Sequence, residues 1–198
     1  MFSKGGNDMK LRITLLGIFL LLISQSAQAE LDFLGQIGLH GGGDNIVTAL
    51  FTDGSSEDIK AGEFLSIDLG MAWDMGIMEG RITGGWKYDT ITASNGDLDF
   101  TRWTSQALFL FAAGDWRFGG GAAYHFGIKL DGSGVASGAD ANYDDALGYV
   151  AEIDYYFSEK VYVGLQYLNI EYDRNTDFGQ TAATFDASSI GLVFAGRW

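Results

Sequence analysis

Residues 116–130 read WRFGGGAAYHFGIKL. Trp116, Phe118, Gly120, Ala122, Tyr124, Phe126, Ile128 and Leu130 alternate with Arg117, Gly119, Gly121, Ala123, His125, Gly127 and Lys129. A repeat of two sends successive side chains to opposite faces of a strand, here one large and apolar, the other small and polar. The glycines do not form a nucleotide cradle, because Tyr124 stands where G-x-G-x-x-G needs its third glycine and the alternation continues in place of a helix. The same rhythm runs from Glu63 to Met75, where Leu65, Ile67, Leu69, Met71 and Trp73 alternate with Ser66, Asp68, Gly70, Ala72 and Asp74.

Extended along the chain, this pattern predicts eight strands, at 31–41, 62–75, 79–91, 100–113, 116–130, 145–157, 161–172 and 184–198. The intervening segments alternate between long and short, which places all long loops at one end of an up-and-down barrel. Strands of this length exceed the 5–6 residues usual in globular proteins and meet the roughly 9–11 that a tilted strand needs to cross a bilayer. Rings gather toward both ends of the apolar stripe: Trp73, Phe111, Trp116, Phe118, Phe194 and Trp198 at the short-turn end, and Trp86, Trp103, Tyr124, Tyr149 and Tyr167 toward the long loops. Two aromatic belts around smaller apolar residues are the pattern of a lipid-facing wall.

Ahead of the first strand, Lys4, Lys10 and Arg12 precede an apolar run from Ile13 to Ile23 and an Ala27-Gln28-Ala29 exit. That reads as a signal peptide over 1–29, leaving 30–198 as one barrel domain. The run is shorter than the roughly 20 residues of a membrane-spanning helix. Without cysteine the exported part relies on no disulfide. It carries 9 Lys and Arg against 25 Asp and Glu, a balance that repels nucleic acid.

The chain resembles the eight-stranded OmpA/OmpW-type outer-membrane β-barrels of Gram-negative bacteria. The resemblance runs over 30–198, with local echoes in RFGGGAAYHF, in YYFSEKVYVGLQYLNIEYD and in the final strand SSIGLVFAGRW. It implies an all-β fold: an eight-stranded antiparallel up-and-down transmembrane barrel in the cell outer membrane, with long extracellular loops and short periplasmic turns. It implies a monomer, with outer-membrane lipid and lipopolysaccharide as its surroundings. The C-terminal aromatic Trp198, with Phe194, resembles the signal read by the barrel-assembly machinery, although Gly196 stands where an apolar residue is common.

Eight strands enclose an interior just wide enough for side chains to fill it. The ionisable residues on the polar stripe are Asp32, His40, Asp68, Arg81, Lys87, Asp89, Arg102, Arg117, His125, Lys129, Glu152 and Asp154. Strand adjacency pairs Arg117 with Asp154 or Glu152, Arg81 with Asp68, and Arg102 with Asp89. Such a lattice fills the lumen, or acts as a gate for small solutes. The resemblance also allows a path for small hydrophobic compounds past Phe64, Leu108, Leu168 and Ile170, or a lipid A-modifying enzyme. His125 is followed by Phe126-Gly127 and His40 by Gly41-Gly42, so neither heads a His-x-Ser pair. No enzyme, cofactor or metal is therefore expected. Asp44, Asp53, Glu57, Asp58, Asp97, Asp99, Asp131, Asp140, Asp144, Asp145, Asp173 and Asp177 offer ligands for Ca²⁺ or a divalent bridge to lipopolysaccharide phosphates. Their spacing fits no calcium loop such as D-x-[DN]-x-[DN]-G, so they are read as solvated loop acids, and Gly41-Gly42-Gly43 as a flexible entry to the longest loop.

Overall fold

A computed structural model describes residues 30–51, 54–175 and 182–198; residues 1–29, read above as a signal peptide, and the loop acids Asp53 and Asp177 lie outside the described residues. The barrel wall is built from β1 (Glu30–Gly41), β4 (Phe64–Asp74), β5 (Met78–Ala93), β6 (Gly96–Ala113), β7 (Trp116–Gly132), β9 (Ala146–Ser158), β10 (Val161–Asn169) and β13 (Ser189–Arg197). Each pairs antiparallel with the next, and β13 returns to β1 with Leu34 opposite Arg197 and Gly41 opposite Ile190. The Trp198 backbone completes the seam, its N–H donating to the Phe33 carbonyl at 3.1 Å and its carbonyl accepting from the Phe33 N–H at 3.0 Å. The ring has no free edge. In lipid an unpaired backbone group costs several kcal/mol, so closure is what makes these strands viable in a membrane.

Along β4 the outward residues Ile67, Leu69 and Met71 are exposed, while Ser66, Asp68 and Ala72 face the lumen. The alternation therefore survives folding, with the large apolar stripe outside. Trp103, Trp116, Phe118, Tyr149, Phe194 and Trp198 all stand on the outer wall.

Three short pairings lie beyond the wall. β2 (Asn45–Leu50) and β3 (Ser56–Lys60) form a hairpin within 42–61, a segment the sequence pattern leaves as a loop. β8 (Ala141–Asn142) adds to the end of β7, and β11 (Glu171–Asp173) pairs with β12 (Thr184–Asp186). The end of β3 and the chain just after it then dip into the barrel mouth. Ile59 and Ala61 are fully buried there, packed with Phe100, Leu130, Tyr143, Ile170 and Tyr172. The glycines at the loop entry are not there for flexibility. Gly43 has φ +85°, and a side chain on it would strike the Gly62 backbone; Gly42 has φ +126°, and a Cβ on it would come within 2.9 Å of Ser188 O.

One sequence expectation reverses. Gly127, at φ +59°, faces a register shift between Thr101 and Trp103 on β6. One extra residue in a strand turns everything beyond it to the opposite face. Ile128 and Leu130 are therefore buried in the upper core and Lys129 is outside, where unbroken alternation puts them the other way round.

Gly119 and Gly121 explain why β7 sits so close to β6. A Cβ on Gly121 would overlap the Ala107 carbonyl, and one on Gly119 the Phe109 carbonyl. Their role is close strand approach. Gly121→Val should abolish the compact, heat-modifiable band of the folded barrel on detergent gels. Gly84→Ala, whose methyl would meet nothing nearer than 3.8 Å, should keep it; a folded Gly121→Val barrel would refute the close-approach account.

Candidate functional site

The lumen has two chemically distinct levels. Near the turn end, Arg81 on β5 is 1% exposed and reaches three carboxylates. Its Nη1 donates to Glu152 Oε1 at 2.6 Å and its Nη2 to Asp154 Oδ2 at 2.6 Å, while Nε pairs with Glu79. Glu152 and Asp154 lie on β9, so these bonds cross the barrel. Glu79 also accepts from Arg197 Nη1 at 2.9 Å and from the Tyr156 hydroxyl at 3.1 Å, and Arg117 Nε stands 3.7 Å away. Arg197 in turn holds Asp32 at 2.9 Å. The Tyr162 ring lies under the Arg81 guanidinium at 4.4 Å, and Gln166 Nε2 donates to Glu152 Oε2 at 2.6 Å. Gly164 leaves room for the Asp154 carboxylate, which a Cβ there would strike. Three guanidiniums thus face four carboxylates, which is how charges become tolerable out of water. Below them a cavity of about 600 Å³, walled by Asp32, Arg117, Tyr156 and Arg197 among others, opens at the turn end.

Toward the loop end the polar side chains occupy only part of the circumference. His40 Nε2 lies 3.2 Å from Ser66 Oγ, and the Thr104 hydroxyl donates to Asp68 at 2.9 Å. Lys87 and Arg102 face each other across the β5–β6 pair. Both donate to backbone carbonyls of the descending loop: Lys87 Nζ to Gly62 O at 2.6 Å and Arg102 Nη2 to Glu63 O. His125 Nδ1 is 2.5 Å from the Tyr172 hydroxyl. The far wall at this height is apolar, with Ala123, Val150, Leu168 and Ile170.

No family model and no curated protein matches the chain. Among solved structures, Ail, the attachment invasion locus protein of Yersinia pestis, superposes over 86% of this chain and 99% of its own, with a TM-score of 0.55 and 14% identity. Ail in complex with the heparin analogue sucrose octasulfate superposes over the same shares, with a TM-score of 0.53 and 12% identity. The chain has the fold of the eight-stranded outer-membrane β-barrels. Its apolar exterior makes lipid the solvent of the wall, and the outer membrane is where barrels of this build stand.

Within this outer-membrane barrel, strand adjacency misassigns the ion pairs. Arg117 is opposite Asp154 in the β7–β9 register, yet the Asp154 carboxylate goes to Arg81. Arg117 instead lies over the Tyr156 ring at 5.1 Å, near Glu79. Arg81 does not pair with Asp68, which takes its hydrogen bond from Thr104. Among the described residues, Asp89 forms no ion pair with Arg102. In so narrow a lumen a long side chain spans to the opposite wall as readily as to its neighbour, so adjacency does not decide. Glu79 and Arg197 are the members sequence reasoning missed. Glu79 shares the parity of Arg81, and Arg197 has the parity opposite to the outward Phe194 and Trp198; that parity was the available signal. Phe64 is not in the lumen but 52% exposed on the outer surface. His40 and His125 both face inward, and Phe194 and Trp198 lie on the lipid face.

Removing Arg81 would leave Glu152 and Asp154 without a counter-charge, while Glu79 keeps Arg197. Breaking a buried pair typically costs about 3–5 kcal/mol, so Arg81→Met should lower the stability to guanidinium of the vesicle-refolded protein by that amount. Adding Glu152→Gln and Asp154→Asn should restore part of it; no recovery would contradict the electrostatic account.

Outside the membrane, Asp58 is held below the ordinary carboxyl range by hydrogen bonds from the Thr48 hydroxyl (2.7 Å) and the Asn45 amide. Bonds from the Ser188 hydroxyl and backbone do the same for Asp186. A lowered carboxyl contributes stability above its unfolded value of about 3.9, and that contribution is lost as pH falls through the lowered one. In an NMR titration Thr48→Val should raise the Asp58 midpoint and leave that of Asp186 in place; an unmoved Asp58 would exclude the Thr48 bond as cause.

Proposed function

We propose that this barrel is a closed, membrane-anchored platform that presents its loops for interaction and passes little or no solute. The Arg81 cluster carries the reading: one guanidinium ties β5 to β9 straight across the lumen. The second support is the descent of Ile59 and Ala61 into the mouth, where they pack against the upper core. Ions would have to break the first obstruction and lift the second.

The orientation follows from the two ends. Tight connections at Gly114–Asp115 and Glu159–Lys160 lie at the end where β1 begins and β13 finishes; these would face the periplasm. The hairpins and loop acids would face outward, with outer-rim rings such as Trp103, Tyr124 and Tyr149 against lipopolysaccharide acyl chains. Phe194 and Trp198, exposed on the outside of the closing strand, remain available to the barrel-assembly machinery.

The sulfated ligand seen with Ail does not transfer to this chain. Glu57, Asp58, Asp97, Asp99, Asp140, Asp144, Asp145 and Asp173 would repel a polysulfate, and only Lys60, Lys129 and Arg174 oppose them among the described loop residues. No hydrolytic role is assigned either. His40 reaches Ser66, but Nδ1, where an orienting carboxylate would be needed, has no partner, and both residues are sealed beneath the loop.

Planar-bilayer recording of the refolded chain tests the proposal. Wild type should be silent. Replacing residues 45–60 by a short glycine linker, or Arg81 by Ala, should alone give little current; the two together should open a steady conductance. A porin-like conductance from wild type would overturn it.

A further inference from the structure

Arg102 is fully buried, yet its Nε and Nη1 have no hydrogen-bond partner. His125, 1% exposed, likewise has an unpartnered Nε2. The nature of that second orphan follows from Tyr172. If the Tyr172 hydroxyl donates to Nδ1, its own proton is used and the ring proton must sit on Nε2. The other tautomer would strand both the tyrosine proton and the Nε2 lone pair. The network thus favours three buried orphans, all of them N–H donors. What they lack is an acceptor.

The surroundings specify that acceptor further. Lys87 stands opposite Arg102 across the β5–β6 pair, and the charges of both act on His125. Among the described residues no carboxylate lies within ion-pair distance of either cation. Asp68 is occupied by Thr104, Glu63 reaches Lys60 at 3.6 Å, and Asp89 receives no bond from Lys87 or Arg102. The cations have only uncharged partners: backbone carbonyls and, for Arg102, the Tyr172 hydroxyl and the Phe100 ring at 4.5 Å. A carbonyl satisfies a donor but does not neutralise a charge, and two adjacent like charges out of water repel strongly.

We propose that the upper lumen holds one small monovalent anion, bound by Arg102 and His125 with Lys87 beside it. A single charge suits the site, because Asp68 and Asp89 at the same level would oppose a phosphate or sulfate. The apolar wall of Ala123, Val150, Leu168 and Ile170 favours a weakly hydrated ion such as a heavy halide. The site belongs to the closed state, since the loop that seals the mouth supplies Gly62 O and Glu63 O. It also requires no passage through the barrel: an anion enclosed during folding would suffice, so it stands or falls separately from the platform reading.

The test uses the full mature barrel refolded and crystallised in sodium bromide. Data collected at the bromine absorption edge should show an anomalous peak within hydrogen-bond reach of Arg102 and His125, and none in Arg102→Met. In parallel, the temperature at which the heat-modifiable band unfolds should rise saturably with bromide, against sodium gluconate at equal ionic strength. That rise should disappear in Lys87→Met and in Arg102→Met and persist in Lys129→Gln, which loses the same charge outside the lumen. A bromine-free lumen in folded wild type, or an equal rise in Arg102→Met, would overturn the assignment and leave the orphan donors to water.

Discussion

Every feature of this molecule depends on the demand that backbone N–H and C=O groups find partners where water is absent. A flat sheet of these eight strands would strand two rows of such groups in hydrocarbon, at several kcal/mol for each. Joining β1 to β13 removes both edges at once. Closure with eight strands then fixes the diameter, and the diameter leaves room for side chains but not for bulk water. A polar lumen must therefore solve its electrostatics internally.

The lower lumen does this with mixed charge and the upper lumen mostly with apolar side chains. Arg81, Glu79, Glu152, Asp154 and Arg197 form a network in which most charged groups touch more than one opposite charge. Such a network constrains which strands may face each other across the barrel, since Arg81 meets Glu152 and Asp154 only when β5 and β9 are set at one height. The upper core makes no comparable demand. Its residues come from the wall and from the descending loop, and apolar contacts tolerate small displacements better than ion pairs do. Lys87 and Arg102 are the exception there, and their hydrogen bonds go to the loop backbone, not to the wall.

The wall was legible in the sequence because its physics is local. A period of two, carried by residues such as Ile67, Leu69 and Met71, reports lipid on one side whatever the neighbours are. The inward parity of Arg81, Arg102, His125 and Asp154 follows from the same rule. Partner choice was not legible, because it depends on heights and reach across the lumen. Arg117 and Asp154 are direct cross-strand neighbours and still do not pair, since Arg81 competes from the far wall with better geometry. The reversal beyond Gly127 was hidden for another reason: glycine permits both regular and left-handed backbone, so its presence alone does not announce a bulge. The β2–β3 hairpin escaped because its strands are short and its faces only partly buried, which leaves a weak alternation.

The two obstructions therefore differ in kind. Side chains of the strands themselves make the lower one, so it forms whenever the barrel closes and can yield only by exchanging ion-pair partners. The upper one is a loop segment, tethered through Gly42, Gly43 and Gly62 at close backbone contacts and drawn inward by Lys87 and Arg102. Lifting that segment would expose two cations to water, where solvation would replace the carbonyls it removes. The hydrogen bonds therefore offer only a small net barrier to lifting, because water competes for the same donors. The larger resistance lies in the apolar burial of Ile59 and Ala61 against the upper core. The cations set where the stopper sits, and the hydrophobic contacts keep it there.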